Sequence, residues 1–378
     1  MQHQPSAPPG RHVPGAPAPR ARSRVRLASY TTLGLGGPAR AFSEVASAQD
    51  VVDAVGSADT AGEPVLILGG GSNLVVADEG FDGTVVYVAT RGIEIRRRRH
   101  STAGGATAVL RVQAGEDWDA LVARCVAEGL AGVECLAGIP GLAGATPIQN
   151  VGAYGQEVAE TITTVRAFDR AAGEVVTLDG AACGFGYRTS RFKRTPGRFA
   201  VLEVTFELYP ERLSRPIRYP ELASALGVAA GQRAPLGEVR DAVLGLRRSK
   251  GMVLDPADPD TRSAGSFFTN PVLGPAQLAA FEEAVRRHLG RRETFPRFPA
   301  SDGQVKVPAA WLIERAGFAR GYAAAGARIS AKHTLALINP GDASTAGLVA
   351  LARQIRDAVA DAFGVVLVAE PVLVGVEL

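Results

Sequence analysis

The pattern of apolar and polar positions divides the chain into a strand-rich first half and a helix-rich second half. Short apolar runs bounded by turn residues predict strands at 41–45, 64–68, 84–88, 108–112, 163–168, 174–178 and 199–208. Amphipathic stretches predict helices at 118–128, 236–248, 275–288, 309–316 and 344–363, and Ser47 is suited to cap an earlier one. A closing strand is predicted at 365–369. The pattern therefore favours an α+β fold built from three units.

Turn-rich and Pro-rich stretches set the expected boundaries between these units. Residues 1–24 are rich in Pro, Ala, Gly and Arg and lack an apolar segment, so we expect a disordered tail and no secretory signal. Residues 210–220 lie between two prolines and are typical of a linker. We therefore expect a region at 25–210, divided near residue 90, and a C-terminal domain at 211–378.

Charge and cysteine content exclude several classes of protein. The net charge is +3, but residues 1–24 hold four arginines and no acid, and 37 basic against 38 acidic residues then leaves −1 for the rest. We therefore expect no nucleic-acid partner. Three scattered cysteines and the absence of CxxC or HExxH predict no metal site. Without a run of 18 apolar residues we expect no membrane insertion and a cytoplasmic location.

Two early glycine-rich segments differ in their setting. The segment 34–39 fits GxGxxA, but it follows polar residues, contains Pro38 and precedes a strand, which disfavours a Rossmann loop. The segment Gly69-Gly70-Gly71-Ser72-Asn73 directly follows a buried strand. Successive glycines allow main-chain amides to converge on an anion, although a simple tight turn would have the same composition.

A third segment, 136–155, contains five glycines and two prolines in 20 residues. Neither a helix nor a strand requires that composition. A backbone that lies flat against a planar ligand does, because glycine permits close approach and positive φ. Thr146, Gln149 and Asn150 could then orient the ligand's heteroatoms.

The glycine-rich segments at 69–73 and 136–155, together with four later motifs, resemble the UDP-N-acetylenolpyruvoylglucosamine reductases, also called UDP-N-acetylmuramate dehydrogenases. Residues 185–193 (FGYRTSRFK) are similar to the family's FxYRxSxFK, and residues 264–271 (AGSFFTNP) to its GSFFxNP turn. The segments 311–314 (WLIE) and 369–371 (AEP) match its later motifs. The resemblance runs from about Tyr30 to the C-terminus.

The resemblance implies a fold and an activity. The fold would be the FAD-binding fold of the vanillyl-alcohol oxidase/PCMH type, in two subdomains at about 25–90 and 91–210. A substrate-binding α+β domain at 211–378 would return its last strand to the FAD site. The activity would be hydride transfer from NADPH, through non-covalent FAD, to UDP-N-acetylglucosamine enolpyruvate. The product, UDP-N-acetylmuramate, serves peptidoglycan synthesis and hence cell-wall biogenesis, cell shape and division. The expected partner is a nucleotide sugar, and the expected state is a monomer.

The resemblance also assigns residues to roles. Arg188 would stabilise the enolate formed on the substrate carboxylate, Glu370 would complete the polar network, and Ser266 would donate a proton to C2. Substrate contacts would come from Lys250 at the diphosphate, from Asn270 and Tyr187, and from Tyr219 as a lid. The cofactor-binding residues would be Gly69, Gly70, Gly71, Ser72, Asn73, Gly138, Ile139, Pro140, Gly141, Gly144, Ala145, Thr146, Gln149, Asn150, Gly152 and Ala153.

Each catalytic residue has an ordinary structural alternative when taken alone. Arg188 could be a solvated surface arginine, Ser266 a turn hydroxyl and Glu370 the cap of a strand end. A serine hydrolase is disfavoured, because the sequence around Ser266 lacks GxSxG. Tyr219 could simply cover apolar surface in its loop.

Three other functions compete with the reductase. A different FAD-dependent dehydrogenase or oxidase of the same fold would act on a hydroxyacid or sugar lactone, but would not need the later motifs together. A nucleotide-sugar sensor would have lost the catalytic residues, and nucleic-acid binding would depend on residues 1–24. Arg315 stands where many relatives carry glutamine, so it is given no role, and we expect Arg96–Arg99 in a solvated hairpin loop.

Overall fold

The structure, a computed structural model, describes residues 22–99 and 106–378. Residues 1–21 of the expected tail lie outside the described residues. The prediction of a tail reaching residue 24 is wrong at its end, because Arg22–Arg26 is a strand. This strand pairs antiparallel with the next one, with Arg22 opposite Phe42 and Arg26 opposite Pro38.

The first unit is a four-stranded sheet covered by one helix. Its elements are β1 (Arg22–Arg26), β2 (Pro38–Val45), α1 (Ala48–Thr60), β3 (Val65–Leu68), β4 (Leu74–Val76) and β5 (Phe81–Val88). The strand order is β1-β2-β5-β3, and β2, β5 and β3 run parallel. Ser47 and Asp50 form a capping box at the start of α1, which confirms the predicted cap.

The second unit is an antiparallel sheet. Its elements are β6 (Ile93–Arg99), β7 (Ala106–Gln113), α2 (Trp118–Ala127), β8 (Leu130–Ala131), β9 (Gly152–Ala153), β10 (Gln156–Glu157), β11 (Ile162–Asp169), β12 (Glu174–Asp179), α3 (Arg191–Arg194) and β13 (Phe199–Pro210). The strand order is β12-β11-β13-β7-β6, and β8 pairs with the end of β13. Trp118 is fully buried under the sheet, and its indole N–H donates to the carbonyl of Leu136. This bond ties α2 to the glycine-rich segment.

The loop expected at Arg96–Arg99 is wrong, because these residues belong to the edge strand β6. Arg96 and Arg97 are exposed and pair with Glu94 and Glu128. Charged side chains on a sheet edge discourage pairing with another chain. The arginine run is therefore compatible with a strand at the edge of the sheet.

The two helices after Pro210 pack against the second unit. They are α4 (Pro220–Leu226) and α5 (Leu236–Ser249). Leu222, Val239 and Val243 are fully buried in the same apolar core as Val204 and Phe206 of β13. We therefore propose that the C-terminal domain begins near residue 254 and not at the expected position after 210.

The C-terminal domain contains two small sheets and three helices. Its elements are β14 (Ser263–Ser266), β15 (Val272–Leu273), α6 (Pro275–Leu289), β16 (Phe298–Pro299), β17 (Val305–Lys306), α7 (Ala309–Arg315), β18 (Ala323–Ala324), β19 (Ala327–Ile329), β20 (Ala336–Ile338), α8 (Thr345–Phe363) and β21 (Val372–Val374). The strand orders are β14-β20-β19-β18 and β15-β17-β16. Phe267, Phe281 and Phe363 anchor its core.

The end of the chain crosses back to the first unit. The strand β21 pairs in parallel with β4, and Val372 lies opposite Leu74. The closing strand predicted at 365–369 is wrong, since Ala369 makes only an isolated bridge to Phe268 and Val366 is 65% exposed. None of the helices in the described ranges has the length and hydropathy needed to cross a bilayer.

Candidate active site

The glycine-rich segments at 69–73 and 136–155 touch each other at the junction of the first and second units. A Cβ added to Gly70 would lie 2.7 Å from the Cα of Gly141. The Ser72 hydroxyl donates to the carbonyl of Pro140 at 3.0 Å. The Asn73 amide Nδ2 donates to Oε1 of Gln149 at 2.8 Å. The loop at 69–73 and the segment at 136–155 therefore form one continuous wall.

This wall presents main-chain donors. Within the described ranges, no group accepts a hydrogen bond from the amides of Gly70, Gly71 or Ser72. Gly71 adopts a φ of +60°, and a side chain there would overlap the carbonyl of Tyr30. Consecutive free amides with a left-handed residue among them form a concavity suited to an anion. The residues thus fit the diphosphate of FAD.

Other predicted cofactor residues shape the wall from within. Gly144 packs so tightly that a Cβ would lie 2.5 Å from the Cβ of Ala114. The Thr146 hydroxyl donates to the carbonyl of Ala143, and Asn150 Nδ2 donates to Oε2 of Glu157 at 2.7 Å. Both side chains are buried. The structure thus gives Thr146 and Asn150 internal hydrogen bonds, and their contact with a ligand stays a prediction.

Arg188 projects from a two-residue turn onto this wall. The turn is closed by reciprocal hydrogen bonds between Gly186 and Thr189, and Arg188 takes a φ of +51°. Its Nη2 donates to the carbonyl of Gly152 at 2.7 Å, and its Nε lies 3.2 Å from Oε1 of Glu370. The guanidinium therefore lies between the glycine-rich segment and the C-terminal crossover.

Glu370 reaches this position through the pairing of the chain end. Its main-chain N–H donates to the carbonyl of Phe267 at 2.9 Å, and its own carbonyl accepts from Asn73 at 3.4 Å. Burial raises the pKa of the Glu370 carboxyl, although the charges of Arg188 and Lys193 oppose that shift. The carboxylate therefore lies in a poorly solvated position, with cations on the facing turn and helix.

Ser266 is the last residue of β14, directly before the residue that pairs with Glu370. It is partly buried, and its backbone lies opposite Ala336 of β20. No described group forms a hydrogen bond with its hydroxyl. The structure thus places Ser266 at the end of a strand that leads directly to the main-chain partner of Glu370. Arg188, in turn, lies at the Glu370 carboxylate.

The predicted substrate residues fall into two groups. In the first, Asn270 Nδ2 donates to the Tyr187 hydroxyl at 3.3 Å, and Asn270 Oδ1 accepts from the amide of Ala309. Tyr187 is 40% exposed, and Lys306 Nζ lies 4.7 Å from its ring centroid. The adjoining Arg188 places this group next to the catalytic candidates.

The second group surrounds Tyr154 at the end of the glycine-rich segment. The Tyr219 ring packs edge-on against the Tyr154 ring at 5.5 Å, and Tyr219 is 42% exposed. Lys250 Nζ lies 5.8 Å from the Tyr154 ring and 2.7 Å from Oε2 of Glu221. Lys250 is therefore already paired with an acid, which a diphosphate would have to displace or share.

A cavity of about 1040 Å³ extends from the first group into the C-terminal domain. Tyr187, Arg188 and Asn270 line one end, and residues of α6 and α8 line the other. Lys193 also lines the cavity, and burial lowers the pKa of its ammonium group. Lys193 is the last residue of the FxYRxSxFK motif, so the motif itself is the sequence signal for this residue, although no role follows for it from the sequence alone.

Sequence reasoning also missed His333 and Arg247. Burial, together with the charges of Lys250, Arg320 and Arg247, lowers the pKa of His333 to about 4. A lone histidine carries no spacing signal, and Arg247 belongs to none of the motifs described above. Their positions depend on the fold and not on a local motif.

Comparisons with known proteins agree with this geometry. A family model for the C-terminal domain of UDP-N-acetylenolpyruvoylglucosamine reductase matches residues 256–374, and one for an FAD binding domain matches residues 39–179. The reductase of Thermobifida fusca is 57% identical over 94% of this chain and 98% of its own length. That of Streptomyces coelicolor is 56% identical over 93% of this chain and 90% of its own.

A solved structure shows the same fold. The UDP-N-acetylenolpyruvylglucosamine reductase of Thermus caldophilus superposes with a TM-score of 0.61 and 24% identity, over 94% of this chain and 99% of its own. The predicted fold class is thus confirmed. High identity over nearly the full length of curated relatives shows that the chain belongs to the UDP-N-acetylenolpyruvoylglucosamine reductase family.

Proposed function

We propose that this protein catalyses the NADPH-dependent reduction of UDP-N-acetylglucosamine enolpyruvate to UDP-N-acetylmuramate, with non-covalent FAD as its cofactor. The carrying observation is the convergence of the free-amide loop at 69–73 with Arg188 and Glu370. Asn73 connects the glycine-rich wall to the chain end, because its side-chain amide donates to Oε1 of Gln149 and to the main-chain carbonyl of Glu370. The cofactor wall and the polar groups for chemistry are thus one assembly.

FAD would be held by the loop amides of Gly70, Gly71 and Ser72 and by the backbone of the segment 136–155. Bound FAD would supply the redox chemistry, taking hydride from NADPH and delivering it to C3 of the enolpyruvyl group. The protein's own task is to position the substrate and to stabilise the charge that develops on it. The close contact and the hydrogen bonds between the segments at 69–73 and 136–155 support that task.

Arg188 is proposed to bind the substrate carboxylate, on which negative charge accumulates as an enolate. Its backbone turn and its bond to the Gly152 carbonyl fix the guanidinium before substrate arrives. A preorganised charge of this kind typically contributes about 3–4 kcal/mol to transition-state stabilisation. Glu370 holds Nε of Arg188 and so orients the remaining donors toward the substrate.

Ser266 is proposed to donate the proton that completes the reaction at C2 of the enolate. A proton donor must lie within hydrogen-bond reach of the accepting carbon. Two observations support this role. Ser266 directly precedes Phe267, whose carbonyl accepts a hydrogen bond from the main-chain N–H of Glu370. In the described ranges the Ser266 hydroxyl forms no hydrogen bond with another side chain, so it is available to the substrate.

We propose that Lys250 contacts the diphosphate of the substrate and that Tyr219 covers the substrate as a lid. Tyr187 and Asn270 are proposed to make further substrate contacts beside Arg188.

Asn73, Arg188 and Glu370 already contact one another or the same carbonyl groups within a single chain, so the proposed site needs no residue of a second copy, and we propose a monomer. We also propose that the enzyme works in the cytoplasm, where precursors of the cell wall carry a nucleotide. Sedimentation of the purified protein tests the first of these two statements.

A spectrum followed by a titration tests the function. The purified protein should be yellow, with the visible absorption of oxidised flavin. It should oxidise NADPH rapidly only when UDP-N-acetylglucosamine enolpyruvate is supplied. A folded but colourless protein that fails to bind added FAD would refute the proposal. Turnover on a hydroxyacid or a sugar lactone instead would favour the other flavoenzymes of this fold.

A further inference from the structure

Lys193 holds a partly buried ammonium group for which the described chain provides no counterion. The residue belongs to the short helix α3 and lines the large cavity together with Tyr187 and Arg188. Within the described ranges no carboxylate lies within 4.0 Å of its Nζ, and its side chain forms no hydrogen bond. Removing an unpaired charge from water costs free energy, so this position calls for an explanation.

This lysine differs from the rest of its kind in the chain. The other three lysines each have a partner, which is Glu221 for Lys250, Asp258 for Lys332 and the Tyr187 ring for Lys306. Burial lowers the pKa of the Lys193 ammonium group, and Arg188 lowers it further, while the charge of Glu370 opposes both. The nearby acid that favours the charged form of Lys193 is thus Glu370.

The backbone that carries Lys193 is fixed to the glycine-rich segment at 136–155. The Ser190 hydroxyl donates to the carbonyl of Ile148 at 2.5 Å and accepts from the Lys193 N–H at 3.2 Å. Phe192 is buried, and its ring packs edge-on against that of Phe199 at 5.5 Å. The start of α3 is therefore held in place, with Lys193 beside Arg188 at the cavity.

The charges around the proposed enolate show what Lys193 adds. The ion pair of Arg188 and Glu370 has no net charge. Hydride addition at C3 places a second negative charge on the substrate carboxylate, whose two oxygens then each carry one. A neutral pair stabilises that charge less than a cation without a counterion does. With Lys193 included, two cations against one carboxylate leave a net charge of +1.

We propose that Lys193 is a positioning residue that offsets the charge of Glu370, so that Arg188 faces the substrate carboxylate as an uncompensated cation. The inference rests on the proposed function, because it assumes that Arg188 binds that carboxylate. The electrostatics around Glu370 agree with it. Burial raises the pKa of the Glu370 carboxyl, and the charges of Arg188 and Lys193 both lower it.

The kinetic test compares Lys193→Met with Arg194→Met, a control on the next residue of α3, whose side chain is exposed. Stopped-flow absorbance follows each half-reaction of the flavin-loaded enzyme. Reduction of the flavin by NADPH creates no enolate, so its rate should stay unchanged in both variants. Reduction of UDP-N-acetylglucosamine enolpyruvate should slow about 10- to 100-fold in Lys193→Met alone. Lys193→Arg keeps the charge and should restore most of the rate.

The pH dependence of kcat/KM provides a readout that a purely structural role would not change. The charged and titratable groups near Glu370 are Arg188 and Tyr187 on the turn and Lys193 on α3. Without Lys193 the pKa of the Glu370 carboxyl rises, so its protonation begins at a higher pH. The acidic limb of the profile should therefore move to higher pH in Lys193→Met and stay in place in Arg194→Met.

Two results would overturn the proposal. One is a folded Lys193→Met variant that reduces the enolpyruvyl substrate at the wild-type rate. The other is equal slowing of both half-reactions with an unchanged pH profile, which would make Lys193 a structural residue. If Lys193→Met does not fold, Lys193→Gln allows the same comparisons. A wild type that fails to reduce the enolpyruvyl substrate would instead refute the proposed function itself.

Discussion

Arg188 and Glu370 form an ion pair across the junction between the second unit and the C-terminal crossover, with Nε and Oε1 3.2 Å apart. The two side chains are 24% and 13% exposed. At this burial the pair is only weakly screened by salt, and loss of one partner leaves the other uncompensated. The pair thus links the integrity of the site to the correct docking of the chain end.

Replacing Arg188 by glycine should remove the guanidinium without unfolding the protein. The residue has a φ of +51°, a region that glycine adopts freely and that strains other residues by about 1–2 kcal/mol. Relief of this strain offsets part of the stability lost when Glu370 loses its partner, so we expect a melting temperature only a few degrees below that of the wild type. The value of kcat/KM should fall about 10²–10³-fold or more. Thermal unfolding and steady-state kinetics on the same sample check both.

Arg188→Lys is the companion variant, because it keeps the charge and loses the fork that bonds Gly152 and Glu370 together. Arg194→Lys, on an exposed position of α3, is the control and should leave kcat/KM unchanged. Wild-type turnover by Arg188→Lys would show that catalysis needs only a positive charge here and not the two-sided hydrogen bonding of the guanidinium.

Replacing Ser266 by alanine should separate the two halves of the reaction. Reduction of the bound flavin by NADPH does not require a proton at C2, so its rate should stay close to that of the wild type. Reduction of the enolpyruvyl substrate should slow by several orders of magnitude, since the proposed donor is absent. Stopped-flow absorbance measures each half-reaction separately. Equal slowing of both would mean that Ser266 maintains the site and does not donate the proton.

The elements were largely predictable, because helix and strand patterns are local. Ser47 was predicted as a cap from its position before an apolar stretch, and it forms one. The positions 366 and 368 alternate as in a strand, yet in the described ranges these valines belong to no strand, and both side chains are exposed. The real strand begins at Val372 because β4, which follows the glycine loop, offers its edge there.

The site was predictable as a set of residue types but not as a geometry. The motifs named Arg188 and Glu370, whereas their contact depends on the parallel pairing of the chain end with β4. Arg247 and His333 carry no motif of their own. The Nε of Arg247 is buried without a hydrogen-bond partner in the described chain, and His333 is buried near three cations. Only a folded structure shows such surroundings.

Substituting Gly70 by alanine should weaken FAD binding by forcing the two glycine-rich segments apart. The added Cβ would lie 2.7 Å from the Cα of Gly141, and main chain on both sides cannot yield easily. Overpacking of this kind typically destabilises by about 1–3 kcal/mol, which corresponds to a loss of about 5- to 150-fold in FAD affinity if the strain falls on the bound state. Fluorescence titration of the apoprotein measures it.

Gly245→Ala is the matched control for that substitution. Gly245 lies within α5, and a Cβ there would meet nothing within 4 Å. Alanine in a helix should stabilise the protein by up to about 1 kcal/mol and leave FAD affinity unchanged. If Gly70→Ala also binds FAD normally, the contact between the two segments does not matter for the cofactor.

Substituting His333 by glutamine should flatten the dependence of stability on pH. The pKa of His333 is about 4 in the folded protein, below the 6.5 of an unfolded histidine, mainly because the ring is buried and then because Lys250, Arg320 and Arg247 are near. The unfolded chain therefore binds a proton more readily than the folded one. Stability from this group is fully present above about pH 6.5 and falls as the pH drops toward 4.

Urea unfolding at pH 7.5 and at pH 5 measures this effect. The wild type should lose more free energy of unfolding between the two pH values than the His333→Gln variant does. His288→Gln, which alters an exposed histidine of α6, should lose as much as the wild type. Equal pH dependence in His333→Gln and the wild type would mean that His333 is protonated in the folded protein, with its charge balanced by Glu221 or by water.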